Sequence, residues 1–374
     1  MKHSRLAAHA AALLLLSILI GQPSNLYAQG SLTPPGAPAP MMKTLDQIEA
    51  RTPISSAPYA ITNPGAYYLT QNLTVNSGDA IDINTNQVTL DLNGFTISST
   101  EATPAGAGIY LTVPSGNTDI TIENGHVMGA VTNNGSGIYS GHGFKHGISS
   151  YLTAPYNSCI SKVSVSGCLS NGIYLGGSRS IVVESCTVKT VGGAGITADG
   201  VSHCTVIDCG GSGIVATIAS DCHGEASGVS YGISAITVEN SYGYNLGGAG
   251  DGVHANSAAN NCHGYINNGG GRGVYSGGTA NNCYGYSYGP GGYGLSATVA
   301  NNCYGQSVSG TGLFADAANN CYGYSASSNG ITCNGPAIGC FGSSLSGTGI
   351  SARIASSCYV ASGATNISFK YNMP

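Results

Sequence analysis

From Ala80 to Ile97 (AIDINTNQVTLDLNGFTI) the chain alternates apolar and polar residues with period two, and Asp119 to Val127 (DITIENGHV) does the same. This period places every second side chain on one face, so both segments are expected as strands with one buried side. From Gly172 onward the pattern breaks into short pieces that recur. A unit of the form G-[ILV]-x-A, with Leu, Ser or Cys in the last place at Gly172, Gly273 and Gly330, begins at Gly172, Gly195, Gly213, Gly232, Gly252, Gly273, Gly294, Gly312, Gly330 and Gly349, in steps of 18 to 23 residues. Looser copies stand at Gly108 (GIYL) and Gly137 (GIYS). Cysteine follows the glycine by nine or ten residues at Cys204, Cys222, Cys262, Cys283, Cys303, Cys321, Cys340 and Cys358, and Ser241 takes that place once.

Leucine-rich repeats have similar periods but need several leucines per unit. Here each unit has one aliphatic residue followed by small ones. Short strands, turns at Gly and Asn, and a coil of about twenty residues predict an all-β fold, a parallel β-helix. Coils stack at about 4.8 Å, so equivalent residues form ladders along the axis. The ANNC sequences ending at Cys262, Cys283, Cys303 and Cys321 then stack asparagine at a tight turn. There it tolerates left-handed dihedrals and hydrogen-bonds its neighbours.

The stretch from Tyr59 to Ile97, followed by ITIENGHVMGA, resembles exported bacterial right-handed parallel β-helix proteins of the pectin-lyase-like superfamily. The repeats after Gly172 are similar to that superfamily's β-helix repeats. The resemblance implies right-handed coiling over about Pro53 to the C-terminus. It says little of activity, because the fold carries lyases, hydrolases, epimerases and adhesins.

Lys2, His3 and Arg5 precede the mostly apolar Leu13–Ile20, a signal-peptide pattern with cleavage expected near Ala28. The expected organisation is a signal peptide over residues 1–28, a Pro-rich linker and cap segment over 29–52, and a single β-helix domain over 53–374. Thr44–Arg51 suggests a short capping helix over an open β edge. No membrane span is expected after signal cleavage. Only 27 of 374 residues are charged (11 basic, 16 acidic), and they are scattered. A nucleic-acid partner needs a clustered basic footprint and is not expected. No cofactor or metal is implied.

Thirteen cysteines in an exported chain suggest disulfides. Most, however, fall in one column with parallel Cβ vectors about 4.8 Å apart, whereas a relaxed disulfide needs them converging at about 3.5–4.5 Å. The column is expected to act as small buried hydrophobes, with Cys204–Cys209 or Cys333–Cys340 as possible local pairs.

The residue after the column position is Tyr242, His263, Tyr284, Tyr304, Tyr322, Phe341 and Tyr359. Two further on stand Tyr244, Tyr265, Tyr286, Gln306 and Tyr324, with glycine between. If Cys and Gly point inward, both columns point outward and form a flat aromatic strip able to stack on sugar rings. The same rings could equally serve coil-to-coil packing. The leading expectation is a secreted, non-catalytic protein that binds a polysaccharide or cell-surface glycan through Tyr242, Tyr244, Tyr265, Tyr284, Tyr286, Tyr304, Tyr322 and Tyr324. One alternative is a polysaccharide lyase or epimerase. Such chemistry needs basic residues and a proton acceptor, and from Gly273 to Ala352 the only charged residue is Asp316. Its site would therefore lie among Arg179, Glu184, Lys189, Asp199, His203, Asp208, Asp221 and His223. The other alternative is a purely structural surface protein, with self-association through an end coil.

Three short motifs add little. Asn117-Thr118-Asp119 and Gly141-His142-Gly143 match two elements of the polygalacturonase pattern, but the family's Asp pair and Arg-x-Lys are missing. Glycosidic hydrolysis needs two carboxyls, so a hydrolase is not expected. Gly247–Gly252 (GGAGDG) faintly resembles a Ca²⁺-binding repeat, but a single copy reads as a turn.

Overall fold

A computed structural model of the chain describes residues 49–112, 117–150, 154–176 and 179–373. The signal-peptide and most of the linker and capping-helix expectations lie outside them. Among the described residues every regular element is a strand, and no helix is long and apolar enough to cross a membrane. From Ala50 onward they form one compact unit, a parallel β-solenoid of about 15 turns.

The repeat glycines set the register. The aliphatic residue after each one pairs in parallel with its equivalent in the next coil, from Ile173 through Ile196, Ile214, Ile233, Val253, Val274, Leu295, Leu313 and Ile331 to Ile350. All of these are fully buried. The loose copy at Gly137 is an exception. Gly137 has a φ of 79° and sits in the turn of a small antiparallel hairpin, Thr132–Asn133 against Tyr139–Ser140. The ladder residue of that coil is Ile148, between Ile109 and Ile173. The last strand spans Tyr359–Tyr371.

The core changes character along the axis. The first coils are filled by Ile and Leu, for example Ile81, Leu90, Ile109 and Ile122. The later ones keep one buried Ile, Val or Leu in the ladder and are otherwise filled largely by Ala, Cys and Ser, so the walls come close. A Cβ on Gly264 would collide with the carbonyl of Gly273, and one on Gly285 with that of Gly294. A column of buried serines, Ser287, Ser307, Ser325 and Ser344, closes the loops. Ser307 Oγ donates to the Gly292 carbonyl at 2.7 Å and accepts from the Gly310 N–H at 2.8 Å.

All thirteen cysteines are free thiols, and all but Cys159 are buried. The column extends back to Cys186, whose N–H points to Cys204 Sγ at 3.4 Å. Each thiol donates to a carbonyl, as Cys303 does to Asn301 at 3.2 Å. The neighbouring thiol of the preceding column member, then burial, pushes Cys283, Cys303 and Cys321 up to about 12. The asparagines form two ladders. Asn281 donates to Asn260 at 2.8 Å, Asn301 to Asn281 and Asn319 to Asn301 at 2.9 Å. The second asparagine of each pair, Asn261, Asn282, Asn302 and Asn320, holds the turn at φ of 51–52°.

Candidate functional site

Along each strand after the cysteine column, inward and outward positions alternate. Cys283, Gly285 and Ser287 are buried, and Tyr284 and Tyr286 face outward, half-buried by their neighbours. The same parity holds in the coils of Tyr242, Tyr265, Tyr304 and Tyr322. Both tyrosine columns therefore lie on the surface.

The rings do not form a flat platform, because the coil spacing matches the thickness of stacked aromatics. Tyr284 and Tyr304 stack with centroids 4.7 Å apart and planes 10° apart. Tyr304 and Tyr322 stack at 4.7 Å and 3°, and Tyr322 and Phe341 at 4.9 Å and 10°. In the second column Tyr265 and Tyr286 stack at 5.1 Å and 10°. Faces are thus turned on one another, and solvent meets ring edges and hydroxyls. Burial, then the neighbouring Tyr284 and Tyr322, pushes the Tyr304 phenol up to about 12. It stays protonated and donates to Gln306 Oε1 at 3.0 Å. Gln306 interrupts the second column and separates Tyr324 from Tyr286.

The stacking loosens at the head of the strip. Tyr242 and His263 lie 6.1 Å apart with planes at 54°, while His263 stays 4.6 Å from Tyr284 but tilted by 46°. The smaller imidazole and the tilt open a recess of about 200 Å³ lined by Tyr242, His263, Gly264, Tyr265 and Tyr284. Tyr242 and His263 also line a groove of about 510 Å³ with His203, Asp221, His223, Asn240 and Asn261. Its polar wall is the turn column: His203, Asp221, Asn240 and Asn261 have φ of 48–54°. That conformation suits Asn and Asp and turns their side chains along the groove edge. His223 makes an edge contact with Tyr242 at 5.0 Å. Burial holds its imidazole below the usual value, and its Nε2 is buried with no hydrogen-bond partner.

The residues considered for an enzymatic site are dispersed. Only His203, Asp221 and His223 meet, in this groove. Asp199 accepts the N–H groups of Arg179 and Ile181 at 2.6 and 3.0 Å, and the Arg179 guanidinium lies 4.2 Å from the Tyr156 ring centre. Asp208 anchors the hairpin, accepting from Asn133 at 2.6 Å and from the Tyr139 hydroxyl at 2.9 Å. Glu184 and Lys189 lie on separate strands, Ile181–Glu184 and Thr187–Val191. The short motifs are structural too. Asn117 is buried and donates to the carbonyls of Ile83 and Thr85, and Asp119 accepts from Asn157 at 2.6 Å. In GGAGDG, Asp251 is buried with one oxygen on Arg272 Nε at 2.9 Å and the other on His254 Nδ1 at 2.7 Å. Among the described residues no cluster of His, Cys, Asp or Glu could hold a metal ion.

The sequence reading missed the groove and the Asp251–Arg272 pair. A signal existed for both. His263 replaces tyrosine within its own column, and Asp251 and Arg272 each immediately precede a repeat glycine, one coil apart. In comparisons with known proteins, no family model and no curated protein matches the chain.

Proposed function

We propose that this chain is a secreted β-helix protein that binds a polysaccharide or cell-surface glycan at the head of its aromatic strip. The observation that carries the reading is the break in ring stacking at His263. From Tyr284 onward the aromatic faces are covered by one another. Between Tyr242 and Tyr284 they tilt apart around a recess that opens onto a polar groove. Sugar recognition needs an apolar ring face together with hydrogen-bonding groups at its edge. Tyr242 and His263 supply the first, and His203, Asp221, Asn240 and Asn261 the second. Export and the likeness to the pectin-lyase-like superfamily belong to the same reading, resting on the N-terminal pattern and the Tyr59–Ile97 stretch.

The test is binding of the protein from Gln29 onward to a panel of soluble and insoluble polysaccharides, with the same samples assayed for released products. Retention on at least one polysaccharide, lost in Tyr242→Ala and His263→Ala, supports the reading. Retention on none refutes it and leaves the aromatic ladder as a device of the fold. Released product makes the head a substrate track instead.

A further inference from the structure

A second cavity lies in the first coils, where three strands run side by side: Ile81–Ile83, Ala105–Leu111 and Phe144–Ser150. Asp79 immediately precedes the first of these coils' buried residues, and its Oδ1 accepts the Ala107 N–H at 2.6 Å. His146 pairs with Ala107 from the other side. Asp79 and His146 therefore stand on the two coils that flank Ala107, whose methyl is buried. Beside Ala107, Gly106 has a φ of 62° and presses on the backbone of Gly78, where a Cβ would collide. The floor between the carboxyl and the imidazole is thus bare backbone. Above it is a cavity of about 260 Å³ lined by Asp79, Tyr110, Lys145, His146 and Ser149.

The two ends of this cavity differ in charge. Burial pushes the Asp79 carboxyl up, and the charge of Glu101 adds to this. Asp82, close enough to feel Asp79, is pushed up by burial and by that charge, and its Oδ1 is buried without a hydrogen-bond partner. The acidic end therefore lacks a compensating cation. At the other end is the exposed ammonium of Lys145. Burial, then Lys145, pushes His146 down to about 4. Its neutral ring has Nδ1 facing the Asn171 N–H at 3.4 Å, which leaves Nε2–H as a donor. Among the described residues neither Asp79 nor Lys145 is part of an ion pair. The volume falls below the roughly 300–1,000 Å³ of pockets for larger ligands, so the occupant is small.

We propose that this cavity binds a small zwitterion of the α-amino-acid class, with its ammonium on Asp79 and its carboxylate on Lys145 and His146 Nε2–H. Each charged end of the ligand then meets the opposite charge, and the aligned backbone floor leaves room for the Cα. The proposal does not depend on the glycan reading, which concerns other coils.

The test is calorimetric titration of the full mature chain with the common amino acids, using acetate and ethylamine as half-ligands. At least one amino acid should bind with a Kd below about 1 mM, and each half-ligand at least about tenfold more weakly. Asp79→Asn keeps the acceptor for the Ala107 N–H and removes a half-buried charge, and Lys145→Gln alters an exposed side chain, so both should fold and melt no lower than the wild type. Each should lose about tenfold or more in affinity. No binding of any amino acid at about 10 mM, half-ligands that bind as well as the zwitterion, or affinity unchanged in both variants would each overturn the proposal.

Discussion

Replacing Tyr322 with alanine removes a ring stacked on both sides, against Tyr304 at 4.7 Å and Phe341 at 4.9 Å. Each such pair contributes about 0.5–1.5 kcal/mol beyond area burial. Two pairs therefore predict a loss of about 1–3 kcal/mol of stability. Tyr242 is different. It is 36% exposed, and its ring contacts are edge-on or tilted: His223 at 5.0 Å, His263 at 6.1 Å and Tyr244 at 6.4 Å. By the same per-pair figure its removal should cost stability of the same order, about 1–3 kcal/mol. If sugar stacks in the recess, however, Tyr242→Ala should weaken binding by at least about tenfold, or about 1.4 kcal/mol. Thermal melts by circular dichroism and affinity electrophoresis on the retained polysaccharide separate the two effects. Both variants are expected to melt earlier, Tyr322→Ala with normal binding and Tyr242→Ala with binding weakened. A folded Tyr322→Ala that no longer binds, beside a Tyr242→Ala that does, would refute the argument and move recognition to the exposed ring edges.

Three other outcomes follow from the same geometry. Gly285→Ala forces a methyl against the backbone of Gly294, which has no flexible end to yield, and should destabilise by about 3 kcal/mol in denaturant unfolding; a change under about 0.5 kcal/mol would contradict the close wall contact. With their thiols pushed up to about 12 and buried, Cys283, Cys303 and Cys321 should resist alkylation at pH 8 in the native protein and react on unfolding, as mass spectrometry of labelled peptides would show. His146 is pushed down to about 4 from an ordinary 6.5, so the unfolded chain binds its proton first. Its contribution is complete above about pH 6.5 and is lost as pH falls toward 4. His146→Gln should flatten the melting temperature over that window relative to wild type, and parallel profiles would disprove it.

The architecture was legible because the repeat glycines lie one coil apart and strand parity then assigns every neighbour. Cys283 inward and Tyr284 outward follow from that alone. The asparagine turns were legible for a similar reason, since a left-handed position at every coil favours one residue type. Parity gives a side but not a ring's orientation. Whether Tyr304 offers its face or its edge depends on how its rotamer meets Tyr284 and Tyr322 at the coil spacing. The tyrosine columns were therefore expected on the outer face, where they lie, but as a flat platform rather than as rings stacked on one another. The cavity between Asp79 and His146 was hidden for another reason. Ile81, Ile109 and Ile148 share a ladder but are separated by unequal lengths of chain, so no fixed period connects the residues around them.

The regular half of the solenoid also bears on how such a chain changes over generations. Its ladders demand the same residues at every step, so single substitutions at Gly264, Gly285 or Asn281 meet fixed neighbours on both sides. Removing residues 283–302 instead joins Asn282 to Cys303 and restores an unbroken A-N-N-C-Y-G. Every inward column and both asparagine ladders would close across the junction, because each coil contacts only its neighbours. Unequal recombination in units of one coil is thus the mutation that this core absorbs most readily, and coil number should drift faster than the sequence of any one coil.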